Sequence, residues 1–302
     1  MSTLHEETVR APFSAGEGRA SVAVPAGACD CHMHIYDARY PSVPGARLNP
    51  PDASVADYLL LQRRTGTQRV VVVTPSTYGT DNRPMTDALA AIGDASRGVA
   101  VIDPHVEDDH LQSLDAAGVR GIRLNLSLGA PGSVEQLELL AARIAPLGWH
   151  LQLLAPADLL ATLGQRLAVL PVPLVFDHFG RIAPSMVQRH PAHALVLRLL
   201  DAGRAWVKLS GCYIVSESGR PDYDDVEPMA RGYLRAAPER IVWGSDWPHA
   251  SASAGHQAMP DDAHQMTLLA RWTEDDRTLH RVLVDNPAAL YGFPVLPAKV
   301  AS

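Results

Sequence analysis

Short runs of aliphatic and β-branched residues alternate along the chain with longer stretches in which apolar side chains recur every three or four positions. The first kind predicts strands at 27–35 (GACDCHMHI), 68–76 (QRVVVVTPS), 98–103, 119–126, 148–154, 173–180, 204–211 and 240–246. The second predicts helices over 55–66, 84–96, 134–148, 155–170, 225–238 and 260–272, with Gly or Pro at most joins. The strand segments are near-continuous Val/Ile/Leu rather than alternating, as expected where both faces of a sheet are covered. About eight strand–helix units in one chain point to the α/β class and a distorted (β/α)8 TIM-type barrel forming a single domain. A doubly wound open sheet is the alternative, but it would place a Gly-rich turn after the first strand, and CDCHMHIYD contains no glycine. Residues 1–26 carry neither pattern and read as a partly disordered N-terminal arm, which leaves 27–302 for the barrel.

Composition narrows the class of partner. A net charge of −7 over 302 residues, with no block of Lys or Arg, argues against nucleic acid. No apolar run reaches the ~20 residues needed to cross a membrane, and the opening residues lack the basic-then-apolar order of a signal peptide. Cys29, Cys31 and Cys212 are too few and too poorly spaced for a disulfide framework, which fits a reducing compartment, the cytoplasm. The expected partner is a small molecule, and a homo-oligomer is compatible with everything above.

In a barrel of this kind chemistry sits at the carboxyl ends of the strands, and the polar residues collect there. His32 and His34 are two apart on the first strand, so both imidazoles share a face. Ser76 and Tyr78 follow the second strand, Arg123 and Asn125 lie in the fourth, and Asp177, His178 and Arg181 end the sixth. Ser210 and Tyr213 follow the seventh, and WGSDWPH brings Asp246 and His249 after the eighth. Each has a bland reading, as a strand histidine with a structural hydrogen bond or an Asp capping a turn. The convergence of three histidines and an Asp at one end of one barrel favours a site. His150 lies near the start of its strand and reads as structural.

At these residues the chain resembles the amidohydrolase superfamily, and within it the branch of 2-pyrone-4,6-dicarboxylate lactonase and galactarolactone isomerase. The stations GTDN, RGIRLN, GWH, DHFGR, WVKLSG, IVWGSDWPH and PDD carry the resemblance over nearly the whole chain. It implies a hydrolase that opens the lactone ring of a carboxylated small molecule, such as a pyrone, a muconolactone or a sugar-acid lactone, in aromatic or sugar-acid catabolism. Asp246 would activate water, its pKa raised by burial. His32, His34 and His178 would donate to the carbonyl oxygen, and Arg123 with Arg181 would anchor a carboxylate. Ser76, Tyr78 and Tyr213 would contact the ring, and His249 would orient Asp246 or touch substrate.

The branch implies no obligatory metal. The alternative is one Zn at His32, His34 and Asp246, as in the superfamily's metal-dependent hydrolases and decarboxylases, although Leu154 or Gln152 stands where such members place a further His. Isomerisation of the lactone is the other alternative. Retention of His32 and Asp246 favours hydrolysis. Leu48 and Leu154 at the branch's Tyr positions, and fewer arginines, imply a substrate with fewer carboxylates and more apolar surface.

Overall fold

The computed structural model describes residues 9–127 and 132–294. Eight parallel strands run in chain order around one sheet: β1 (Cys29–Met33), β2 (Arg69–Val73), β3 (Ser96–Ala100), β4 (Val119–Asn125), β5 (His150–Leu154), β6 (Leu174–Phe176), β7 (Ala205–Leu209) and β8 (Ile241–Trp243). A Met33–Trp247 bridge and the bonds Asp246 N–H to His32 O and His34 N–H to Trp247 O join β1 to the end of β8. All eight strands lie inside or within two residues of the segments read from the sequence. The observed strands are shorter because chain ends turn away into loops.

Every residue of β2, Arg69 to Val73, is buried, which is why the strands lack alternation: the inner side chains fill the barrel and the outer ones meet helices. Val71, Val73, Val99, Val175 and Val242 pack the interior. Helices Val55–Thr65, Arg83–Ile92 and Asp262–Thr273 cover the outside, with Asp108–Ala116 and Pro191–Asp201 added to those the periodicity predicts. Local chemistry sets their ends. Ser54 forms a capping box with Asp57, and Gly66 closes the same helix at φ +80°.

Residues 9–26, assigned to the arm, lie against the barrel. Pro12 O accepts from Trp247 Nε1 at 2.7 Å, and the Phe13 ring meets Trp247 edge-on at 5.8 Å. The buried Arg64 guanidinium bonds Ala15 O, Gly18 O and Ser14 Oγ and pairs with Asp261 at 2.8 Å. The arm therefore straps the loop after β8.

Candidate active site

The site is built at the β1/β8 seam. The register of β1 on β2 slips between Asp30 and Met33. Cys29 and Cys31 consequently face the interior, as do His32 and His34 beyond the slip, while Met33 joins the outer core. Asp30 clamps the seam: its carboxylate accepts from the backbone of His32 and Ser245, from Ser245 Oγ at 2.6 Å and from Tyr58 OH. Burial nevertheless pushes its pKa up to about 6. Gly244 lets the strands approach, since a Cβ there would sit 2.6 Å from His32 Cβ. Several residues of the rim hold left-handed backbone angles, among them His178 (+48°), Arg181 (+55°), Asp246 (+67°) and His249 (+57°). Such conformations in non-glycine residues gather where a structure fixes functional side chains.

Asp246 is the meeting point. Its Oδ1 lies 3.5 Å from His32 Nε2, 3.6 Å from His34 Nε2 and 3.8 Å from His178 Nε2. Its Oδ2 accepts from Tyr213 OH at 2.6 Å. Burial alone would raise the pKa of this carboxyl, as the sequence reading expects. The imidazoles of His178, His34 and His32 outweigh burial and hold it well below the ordinary carboxylate range. The expected upward shift is therefore reversed, and Asp246 is ionised at any working pH.

The histidines have defined partners. His34 Nδ1 faces the Val73 carbonyl at 2.7 Å, so it carries the proton and, in the neutral ring, Nε2 keeps its lone pair. His178 Nδ1 lies 2.9 Å from Ser210 Oγ. A hydroxyl proton given to Nδ1 leaves Nε2–H free to donate. Burial lowers the pKa of both His32 and His178, favouring neutral rings. His32 Nδ1 stands between an acceptor and a donor, Asp177 Oδ1 at 3.2 Å and Lys208 Nζ at 3.3 Å.

Behind His32 lies a network that the sequence reading did not assign. Lys208 Nζ bonds Gln152 Oε1 at 2.6 Å and Cys31 O at 2.8 Å. Asp177 Oδ2 accepts from Gln152 Nε2 and from Arg123 Nε at 3.0 Å. Burial pulls the Lys208 pKa down to about 8, while burial of Asp177 is outweighed by His32, Arg123 and Lys208, which hold its pKa well below normal. The available signal was a lysine inside an apolar strand, VKL, where an unpaired charge is costly.

A cavity of about 830 Å³ opens over this centre, a volume suited to a small-molecule ligand. His34, His178, Asp246 and Tyr213 border it, as do Arg123, Arg181 and Ser76. Ser76 Oγ accepts from Asn125 Nδ2 at 2.8 Å, so its own proton is free for the cavity. His32 is fully buried and does not border the cavity, so its expected contact with a carbonyl oxygen is replaced by contact with His34 and Asp246. Tyr78 also lies outside the lining: its hydroxyl is bonded to the backbone of Asp37. His249 is likewise outside. It pairs with Asp262 at 3.0 Å, and its ring meets that of Tyr213 edge-on at 5.3 Å. Burial opposes its charge, but Asp262 prevails and raises its pKa. His249 thus touches neither the cavity nor the Asp246 carboxylate, and it backs Tyr213. Arg47, exposed on the loop before Leu48, joins the lining unanticipated. His150 is structural, packed edge-on against Tyr291 low in the barrel.

The residues fit a divalent cation as well. His32, His34 and Asp246 offer ligand atoms within 4.8 Å of one another, and so do His32, Asp177 and His178. Buried imidazole nitrogens with a carbonyl or carboxylate behind them are the donor set that zinc takes.

This barrel, with paired histidines on its first strand and an Asp after its last, belongs to the amidohydrolase family, whose model matches residues 29–293. Two characterised relatives stand beside it. The chain is 35% identical to 4-sulfomuconolactone hydrolase of Rhizobium radiobacter, over 90% of this chain and 92% of that protein. It is 34% identical to D-galactarolactone isomerase of Agrobacterium fabrum, over 92% and 94%. A crystal structure from Agrobacterium tumefaciens in the apo form superposes with a TM-score of 0.83 at 33% identity, covering 91% of this chain and 98% of that one.

Proposed function

We propose that the protein is a lactonase that opens the ring of a small anionic lactone with water activated by Asp246. One observation carries the reading: an ionised carboxylate at the cavity wall, with Oδ1 fixed among three imidazoles and Oδ2 left for the reacting water and Tyr213. His34 Nδ1–H donates to the Val73 carbonyl and His34 Nε2 accepts from His32 Nε2–H, which fixes this ring beside Asp246 at the cavity wall. His178 Nε2–H donates to the carbonyl oxygen as charge develops there. The depressed basicity of Asp246 is tolerable because its proton need not stay: it passes on as the ring oxygen departs. Arg181 makes no hydrogen bond or ion pair among the described residues and borders the cavity, which suits it to hold the substrate's anionic group. Leu48, Leu154 and Ile214 supply apolar wall. The activities of the relatives, hydrolysis of 4-sulfomuconolactone and isomerisation of D-galactarolactone, support the substrate class. Buried free thiols at Cys29, Cys31 and Cys212 accord with the cytoplasm.

In this reading no metal is obligatory. Lys208 donates to His32 Nδ1, His32 Nε2–H donates to His34 Nε2 at 3.3 Å, and the chain ends at Val73 O, so every ring nitrogen is satisfied. A second reading is favoured by the ligand spacing of His32, His34 and Asp246. With His32 Nδ1–H turned to Asp177, both Nε2 lone pairs and the Asp246 carboxylate converge. A zinc ion there would polarise the carbonyl and acidify water.

The test is a panel of muconolactones, sugar-acid lactones and pyrone carboxylates, with products identified by NMR, with and without chelator. Ring-opened acid from the wild type, and a loss of about 1000-fold or more in kcat for a folded Asp246→Asn, is the expected result. A shifted ring would make it an isomerase. Chelator-sensitive turnover with stoichiometric zinc would establish the second reading.

A further inference from the structure

Resting on the lactonase reading, we propose that Tyr213 is the acid that protonates the departing ring oxygen, which makes the preferred substrates saturated lactones that leave as alkoxides. Tyr213 follows Gly211 on the short turn Cys212–Val215 after β7. Gly211 has φ +62°, and a Cβ there would lie 2.9 Å from His178 Nδ1, so the glycine brings this turn directly onto the catalytic histidine. The phenol borders the cavity and donates to Asp246 Oδ2 at 2.6 Å. Its ring is held edge-on by His249, itself fixed by Asp262, and its backbone carbonyl accepts from Gln257 Nε2 at 3.1 Å. A contact as short as 2.6 Å between a buried phenol and a carboxylate is a path for a proton.

The step balances. Water adds to the lactone carbonyl and gives one proton to Asp246 Oδ2. The C–O bond of the ring breaks, and its electron pair goes to the ring oxygen. Tyr213 gives its hydroxyl proton to that oxygen and receives the proton from Oδ2, so the bond between them reverses direction. The products are a hydroxyl group and a carboxylic acid, and the carboxylate of Asp246 is restored. The phenol exchanges one proton for another and at no point holds a charge, which its burial would penalise. Burial and the Asp246 charge push its own pKa well up, so a free phenolate is not the species used.

General acid assistance matters most when the leaving oxygen is strongly basic. An alkoxide needs the proton, whereas the enolate from an enol-lactone leaves without it. The experiment compares wild type and Tyr213→Phe on two γ-lactones of the same size and carboxymethyl group, one saturated and one an enol-lactone. We expect kcat/KM to fall about 100-fold or more on the saturated lactone and less than about 5-fold on the enol-lactone. Equal losses on both would overturn the proposal and leave Tyr213 a support for Asp246. No loss on either would overturn it outright. A His178→Asn variant with the same selective loss on the saturated lactone, alongside an indifferent Tyr213→Phe, would move the role to His178. A wild type that opens neither lactone nor any other of the panel sinks the lactonase reading itself.

Discussion

Arg123 and Arg181 carry the same charge on the same cavity wall and have opposite freedom. Arg123 is buried, and its Nε is bonded to Asp177, whose other contacts reach Gln152 and His32. Its first task is to neutralise a buried carboxylate. Arg181 is exposed and makes no bond among the described residues, so its fork is available to a ligand. The sequence put Arg123 first as the anchor, since both lie at strand ends and nothing in their spacing shows which is already paired. The consequence is measurable. Arg181→Met should raise KM for an anionic lactone by about 10- to 100-fold, the worth of a charged hydrogen bond, while leaving KM for an uncharged lactone within about twofold. An unchanged KM for the anionic lactone removes Arg181 from that role. The equivalent change at Arg123 should instead reduce folded yield, because it strands Asp177.

The strap formed by residues 9–18 works at the level of elements. It ties the helix Val55–Thr65, through Arg64, to Asp261 at the start of the helix Asp262–Thr273, and Ser14 donates to Asp262 at 2.6 Å. Asp262 in turn holds His249, which supports Tyr213. Arg64→Met should therefore cost about 2 kcal/mol in denaturant unfolding, less than a fully buried pair because Asp261 keeps about a third of its side chain in water. A midpoint unchanged from wild type would show that the strap contributes no stability. The eight strands were legible because Val, Ile and Leu runs bounded by Gly and Pro survive any tertiary setting. The strap was not, because its hold depends on Arg64 and Trp247 from distant segments, and nothing periodic marks it. The candidate site was legible at His34, His178, Arg181 and Asp246, which are polar residues at strand ends. Lys208, Gln152 and Asp177 form a group only once β5, β6 and β7 are in register, and the slip in β1 that turns His32 inward has no signature in CDCHMH.

For the molecule as a whole, the buried histidines make stability depend on pH in a stated direction. Both ring nitrogens of His150 lack hydrogen-bond partners among the described residues, and a Cβ on Gly121 would lie 2.4 Å from its ring, so it is enclosed and neutral. Burial, then the Lys208 charge, pull its pKa from 6.5 to about 3. His32 and His178 are lowered by burial in the same sense. Below pH 6.5 the unfolded chain takes up protons at these positions and the folded chain does not, so stability falls as pH falls, for His150 down to about pH 3. Asp246 and Asp177, whose folded pKa values are depressed, add a loss that begins only as pH approaches the ordinary carboxylate range. Asp30 acts oppositely: with its pKa raised from 3.8 to about 6, the folded chain binds the extra proton, and this offsets part of the loss between those values. The raised imidazole of His249, held by Asp262, acts in the same sense as Asp30, and these two face the lowered imidazoles of His32, His150, His178 and His193, so the sum favours loss. Tm should fall by about 5 °C or more from pH 7 to pH 5, and His150→Phe, which cannot take up a proton in the unfolded chain, should fall by less over the same interval. A wild-type Tm that is flat or rising toward pH 5 would mean that these histidines are protonated in the folded barrel.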